Sequence, residues 1–170
     1  ITIAQPLLHA SDLAGADGGL IKRGSGSLTL TAANSYTGTT AVEAGTLRLA
    51  HAAALGSGGV RVETGGLLAL APQLVAQVTA VDFAGGRIDL GNGRLEIAAG
   101  GITEAAIRTA ATTGRGSGGW NGGAGLISSI AAAAVPGTRS LGYVIAADGA
   151  AVIAFATPGD ANLNGQVDVF

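Results

Sequence analysis

This sequence predicts an all-β fold, a parallel β-solenoid, and three observations carry that expectation. Short segments from Gly24 to about Gly100 alternate aliphatic residues with Thr, Arg, Glu or Asp. That period of two marks strands with one buried face. Leu28, Leu47, Leu67 and Ile88 fall 19, 20 and 21 residues apart, a coil-length repeat whose stacking buries an aliphatic ladder. Thirty of the 170 residues are glycine, without the Gly-X-Y period of a triple helix. A β-sandwich built from hairpins uses the same short strands and glycine turns. The repeat length favours the solenoid over it.

The elements follow in order. Residues 1–23 read as an N-terminal strand or linker segment. Residues 24–100 are the solenoid repeats, with strands at 28–30, 46–49, 60–63, 67–70, 81–83, 87–90 and 94–97. Asn34, Gly38, Gly45, Gly58, Gly59, Gly65 and Gly66 suit the corners, where positive φ or close backbone approach is needed. Residues 101–158 form a capping region, since a terminal coil otherwise exposes apolar residues and unpaired edges. Its short helix spans 103 to about 112, with Glu104 in the first turn, and ends before a glycine-rich loop at 114–123. Residues 128–134 suit either helix or strand. Segments 141–145 and 150–155 form a hairpin around the turn signal Asp148-Gly149.

Residues 159–170 carry a partial calcium loop. Asp160, Asn162, Asn164 and Asp168 supply side-chain oxygens at loop positions 1, 3, 5 and 9, with Gly165 at the sharp turn of position 6. Position 12 would be residue 171.

Composition excludes several classes of function. Nine basic and eleven acidic residues leave a net charge of −2, which offers no electrostatic platform for nucleic acid. Cysteine is absent, so there is neither a disulfide framework nor a thiolate metal site, a composition compatible with export. The longest apolar run, residues 130–135, stops at Pro136, far short of the roughly 20 residues of a membrane span. Ile1-Thr2-Ile3-Ala4 lacks a basic leader region and reads as a mature or trimmed end.

Candidate chemistry is sparse. His9 and His51 have no second ligand at metal spacing and read as turn or surface residues. Gly114, Gly116 and Gly119 match a dinucleotide-loop spacing, but no apolar strand precedes them and no helix follows. Asp89 and Glu96, beside Arg87 and Arg94, are the acid–base set that a glycan-cleaving solenoid would need. A charge-balanced solvent face explains them equally simply. The expectation is a protein with no catalytic residues and no organic cofactor. Trp120, Tyr36 and Tyr143 are the aromatics available for stacking on a sugar, although a tryptophan in a glycine loop also serves as a core plug.

Two resemblances extend this reading. Residues 26–49 (GSLTLTAANSYTGTTAVEAGTLRL) resemble the autotransporter-associated β-strand repeat, whose pattern runs G-x-L-x-L, N-x-Y-x-G-x-T-x-V, then x-G-x-L-x-L. The resemblance fades through about residue 70. It implies a right-handed β-solenoid exported beyond the cytoplasm. Ile107-Arg108, Gly118-Gly119-Trp120-Asn121-Gly122, Ile127-Ser128-Ser129, Leu141-Gly142-Tyr143 and Gly159-Asp160-Ala161-Asn162 resemble the C-terminal region of large secreted proteins from planctomycete-like bacteria. There the region leads into a dockerin-type repeat. This implies Ca2+ binding by Asp160, Asn162, Asn164, the backbone carbonyl of Gln166, and Asp168. The expected function is an extracellular structural or adhesive module on the cell surface, self-associating into fibres. A carbohydrate-binding module that recognises surface glycans is the alternative.

Overall fold

The structure, a computed structural model, describes residues 1–12, 14–15, 18–160 and 163. The chain winds into a parallel β-solenoid of about four turns. The first turns contribute β1 (Thr2–Ile3), β2 (Ile21–Lys22), β3 (Ser27–Leu30), β4 (Thr40–Val42) and β5 (Gly45–Leu49). Two fuller turns follow, β6 (Val60–Glu63), β7 (Gly66–Leu70) and β8 (Val75–Val78), then β9 (Val81–Ala84), β10 (Arg87–Asp89) and β11 (Arg94–Ile97). Helix α1 (Glu104–Arg115), β12 (Gly125–Ile127), helix α2 (Ser129–Ala133), β13 (Ser140–Ile145) and β14 (Ala151–Ala156) complete the chain.

Successive turns stack these strands into three sheets. The first runs β1-β3-β5-β7-β10-β12, the second β2-β4-β6-β9, and the third β13-β14-β11-β8. The first two sheets are parallel throughout. Parallel pairing requires a crossover between partners, and here each crossover is one turn of the coil.

Register makes the core. Leu28, Leu47, Leu68, Ile88 and Leu126 are successive partners across the first sheet, and the last four are almost wholly buried. Leu30, Leu49 and Leu70 form a second rung. Val42, Val62 and Phe83 face inward from the second sheet, and Ala76, Leu95 and Ile153 from the third. The aliphatic composition suits this: stacked Leu, Ile and Val fill a narrow interior in well-defined rotamers.

One ladder member differs from the expectation. Leu68, not Leu67, continues the row, because Leu67 pairs with Thr46 and Arg87. Residues 67–70 are apolar on both faces, so alternation alone does not say which leucine points inward.

The C-terminal half closes the coil. Thr103 caps α1, its hydroxyl accepting from the Ala106 amide at 3.2 Å. The helix runs through Gly114, past the expected stop, and terminates at Gly116 with φ +54°. Gly114 is a packing residue: a Cβ there would collide with the Leu126 carbonyl. Residues 129–133 adopt the helical choice, with Ser128 accepting from the Ala131 amide at 2.9 Å. The hairpin forms as expected around Asp148-Gly149, and β14 adds antiparallel to β11. This covers the last parallel edge of the third sheet.

Candidate functional site

The outer faces of the solenoid are lined with paired charges. On the second sheet Arg23 donates to Glu43 at 2.6 and 3.1 Å. Arg61 bridges Glu63 at 3.1 Å and also pairs with Asp82. The Arg23 contacts hold the Glu43 carboxyl below its ordinary range, hydrogen bonding first. On the third sheet Arg94 lies 3.1 Å from Glu96. These pairs are solvent-exposed and contribute little to stability; they keep the faces wet and charge-balanced.

The proposed acid–base set does not converge. Asp89 lies on the first sheet and Glu96 on the third. Asp89 is occupied structurally, its Oδ1 accepting from the amides of Gly91 at 2.8 Å and Ser129 at 2.9 Å. It thereby fixes the entry into α2. His51 Nδ1 accepts from the Ala53 amide at 3.1 Å, a local turn bond.

Two of the three aromatics turn inward. Trp120 is 8% exposed, in the left-handed region at φ +53°, with its carbonyl accepting from Ser128. Tyr36 is 4% exposed and bonds Thr40 through the two hydroxyls at 2.6 Å. Burial pushes its phenol up, and the Thr40 bond acts in the opposite direction. Tyr143 stays half-buried, its hydroxyl donating to Glu104 Oε1 at 3.2 Å.

Of the calcium-loop set, Asp160 is buried, with its amide donating to the Thr157 carbonyl at 3.0 Å. Asn162, Asn164, Gln166 and Asp168 lie outside the described residues. Among the described residues no group of three or more His, Asp or Glu is arranged to hold a metal.

Polar groups that alternation does not reveal organise the N-terminal coils. Asn34 joins three coils: Oδ1 accepts from the Leu7 amide at 2.8 Å, and Nδ2 donates to the Ala54 carbonyl at 2.5 Å. Lys22 is 6% exposed and donates to the carbonyls of Arg23, Gly24 and Ala44 at 3.0, 2.7 and 2.9 Å.

Fold and surfaces together define a repeat-built β-solenoid in which Lys22, Asn34 and Asp89 bond one coil to another. A family model, the passenger-associated transport repeat, matches residues 20–49, the span from β2 to β5. It supports the autotransporter-associated reading of that segment. No curated protein and no solved structure matches the chain. No helix among the described residues is long and apolar enough to cross a membrane.

Proposed function

We propose that this chain is an extracellular structural or adhesive module, a rigid solenoid stalk at the cell surface that serves as a subunit of a fibre. The observation that carries the reading is the unbroken row of Leu28, Leu47, Leu68, Ile88 and Leu126. A continuous rung of this kind resists bending because each coil is held by backbone bonds and apolar contact to its neighbours. The passenger-repeat match supports a secreted or surface location. In this reading the chain performs no catalysis.

In this reading a coil of this polypeptide or of a second copy stacks on the first coil. Among the described residues β1 and β2 each pair on one side only, and Ile1 and Ile21 are exposed beside them. Unpaired strand edges with apolar neighbours favour added coils. In this reading Asp160, Asn162, Asn164, the Gln166 carbonyl and Asp168 would hold calcium. Electron microscopy with calcium and then with EDTA tests the assembly. Fibres that shorten or dissolve on chelation are expected; monodisperse particles unchanged in both conditions defeat calcium-supported assembly.

Carbohydrate binding is the rival reading, and Tyr143 is its remaining aromatic platform. A glycan array comparing the chain with Tyr143→Ala separates the two. Retention of surface glycans by the parent and loss by the variant would favour the rival.

A further inference from the structure

Among the described residues the second sheet stops one turn early. β9 is its last strand, although the first sheet continues one strand further to β12. The chain leaves β11, turns, and spends the residues that would form the next rung on α1 and the glycine loop. At both ends of β9 the ladder to the following coil is intact. The Val81 amide donates to the Gly101 carbonyl at 3.0 Å, and the Gly125 amide donates to the Gly86 carbonyl at 2.8 Å. Between these bonds, among the described residues, β9 pairs only backward to β6. Phe83 lies two residues beyond Val81, so its amide points the same way, toward the absent strand.

An open groove of about 510 Å³ occupies this place. One wall is the edge of β9. The other is α1, which presents only small residues there, including Ala106, Thr109 and Thr113. The body of the helix offers no backbone partners, since its amides and carbonyls bond to one another. The groove therefore admits a single extended segment and bonds it along one side.

We infer that this groove receives an extended peptide segment of another polypeptide, which supplies the missing strand of the second sheet. The argument is continuity: the ladder that joins β2, β4, β6 and β9 resumes wherever a backbone enters. Side-chain chemistry follows from the pleat. Val81 and Phe83 face inward and Asp82 faces out, 56% exposed. The occupant alternates β-branched apolar residues inward with a basic residue outward, which would balance the net negative trio of Glu63, Arg61 and Asp82. About four residues, at roughly 3.3 Å each, match the length of β9.

The test uses the intact chain and an acetylated, amidated Thr-Val-Lys-Val-Thr peptide, with Thr-Pro-Lys-Pro-Thr as control. Hydrogen exchange read by NMR should show the Phe83 amide slowed about tenfold or more by the first peptide and not by the second, whose prolines fix φ at about −65° and crowd a strand ladder. Thr109→Trp fills the groove from the exposed face of α1. It should weaken binding about tenfold, a change of 1.4 kcal/mol, while the unfolding midpoint stays in place. No protection of Phe83 at millimolar peptide overturns the inference. So does equal binding of the proline control, or binding indifferent to Thr109→Trp.

Discussion

Tyr143 donates its hydroxyl to Glu104 Oε1 across 3.2 Å, tying the outer strand of the hairpin to the first turn of α1. The same oxygen accepts from Arg108 Nε and Nη2 at 2.9 and 2.7 Å. Two parts of the cap, 39 residues apart in sequence, thus meet on one carboxylate. The Arg108 bonds, and then the Tyr143 bond, hold the Glu104 carboxyl below its ordinary range. The Tyr143 phenol is pushed up, by burial first and then by this bond.

The sign of the pH effect follows. A carboxyl whose folded value is depressed contributes stability that is present above its unfolded value. That contribution is lost as pH falls through the lowered folded value. Tyr143→Phe should raise the Glu104 midpoint part of the way toward the usual carboxylate range, and Arg108→Ala should raise it further. Carboxyl-detected NMR titration of Glu104 checks this. A midpoint indifferent to Tyr143→Phe would mean that the hairpin and helix are not joined here in solution.

The register of β7 makes a second prediction. Leu68 has no exposed surface, so Leu68→Ala opens a cavity and should cost about 2–5 kcal/mol. Leu67 lies on the outer face and is only half-buried, and its replacement by alanine should cost under about 1 kcal/mol. Urea unfolding of both variants decides the matter. Equal losses would be incompatible with Leu68 as the ladder residue.

The legibility of this fold divides along the same line. Repeat length and alternation reveal the solenoid, and Asp148-Gly149 reveals the hairpin. Alternation fails where a face breaks its own rule. In β4, Thr40 points inward and is fully buried, satisfied by Tyr36, so the strand does not look amphipathic. In β8 the inward residues are Ala76 and Val78, while Val75 is 41% exposed, which blurs the pattern. Gly114 reads as a helix breaker, yet it is the residue that lets α1 lie against β12. Asp89 reads as a free outward carboxylate because its two amide donors include Ser129, 40 residues away. The groove beside β9 lies where the second sheet has no further strand among the described residues, which no local pattern encodes.

Asn34 should be intolerant of its closest relative. Asn34→Asp keeps an acceptor for the Leu7 amide but replaces the Nδ2 donor with an oxygen facing the Ala54 carbonyl. The site is 8% exposed, so the new charge is poorly solvated and one carbonyl loses its donor. A loss of about 2–3 kcal/mol is expected, measured as a lower urea midpoint. Deamidation at this position would produce the same species. An Asn34→Asp variant as stable as the parent would show that Asn34 does not bridge the coils.

The corner formed by Lys22 and Gly45 gives the last prediction, because the two residues depend on one space. Lys22 donates to three carbonyls from within the protein, and Gly45 sits beside it with φ +69°. A Cβ on Gly45 would meet the carbonyl oxygens of Gly24 and Gly26 and lie 2.8 Å from Lys22 Nζ. Lys22→Met keeps an apolar stem but removes the charge-assisted bonds, and should cost about 2–3 kcal/mol. Gly45→Ala adds strain at a left-handed position and displaces the ammonium group, costing about 1–3 kcal/mol. Since either change dismantles the same corner, the double variant should lose less than the sum, by about 0.5 kcal/mol or more. A double-mutant cycle in urea measures the coupling. Strict additivity would show that the ammonium group and the glycine turn act independently, and that the first coil is fixed to the second by its strands alone.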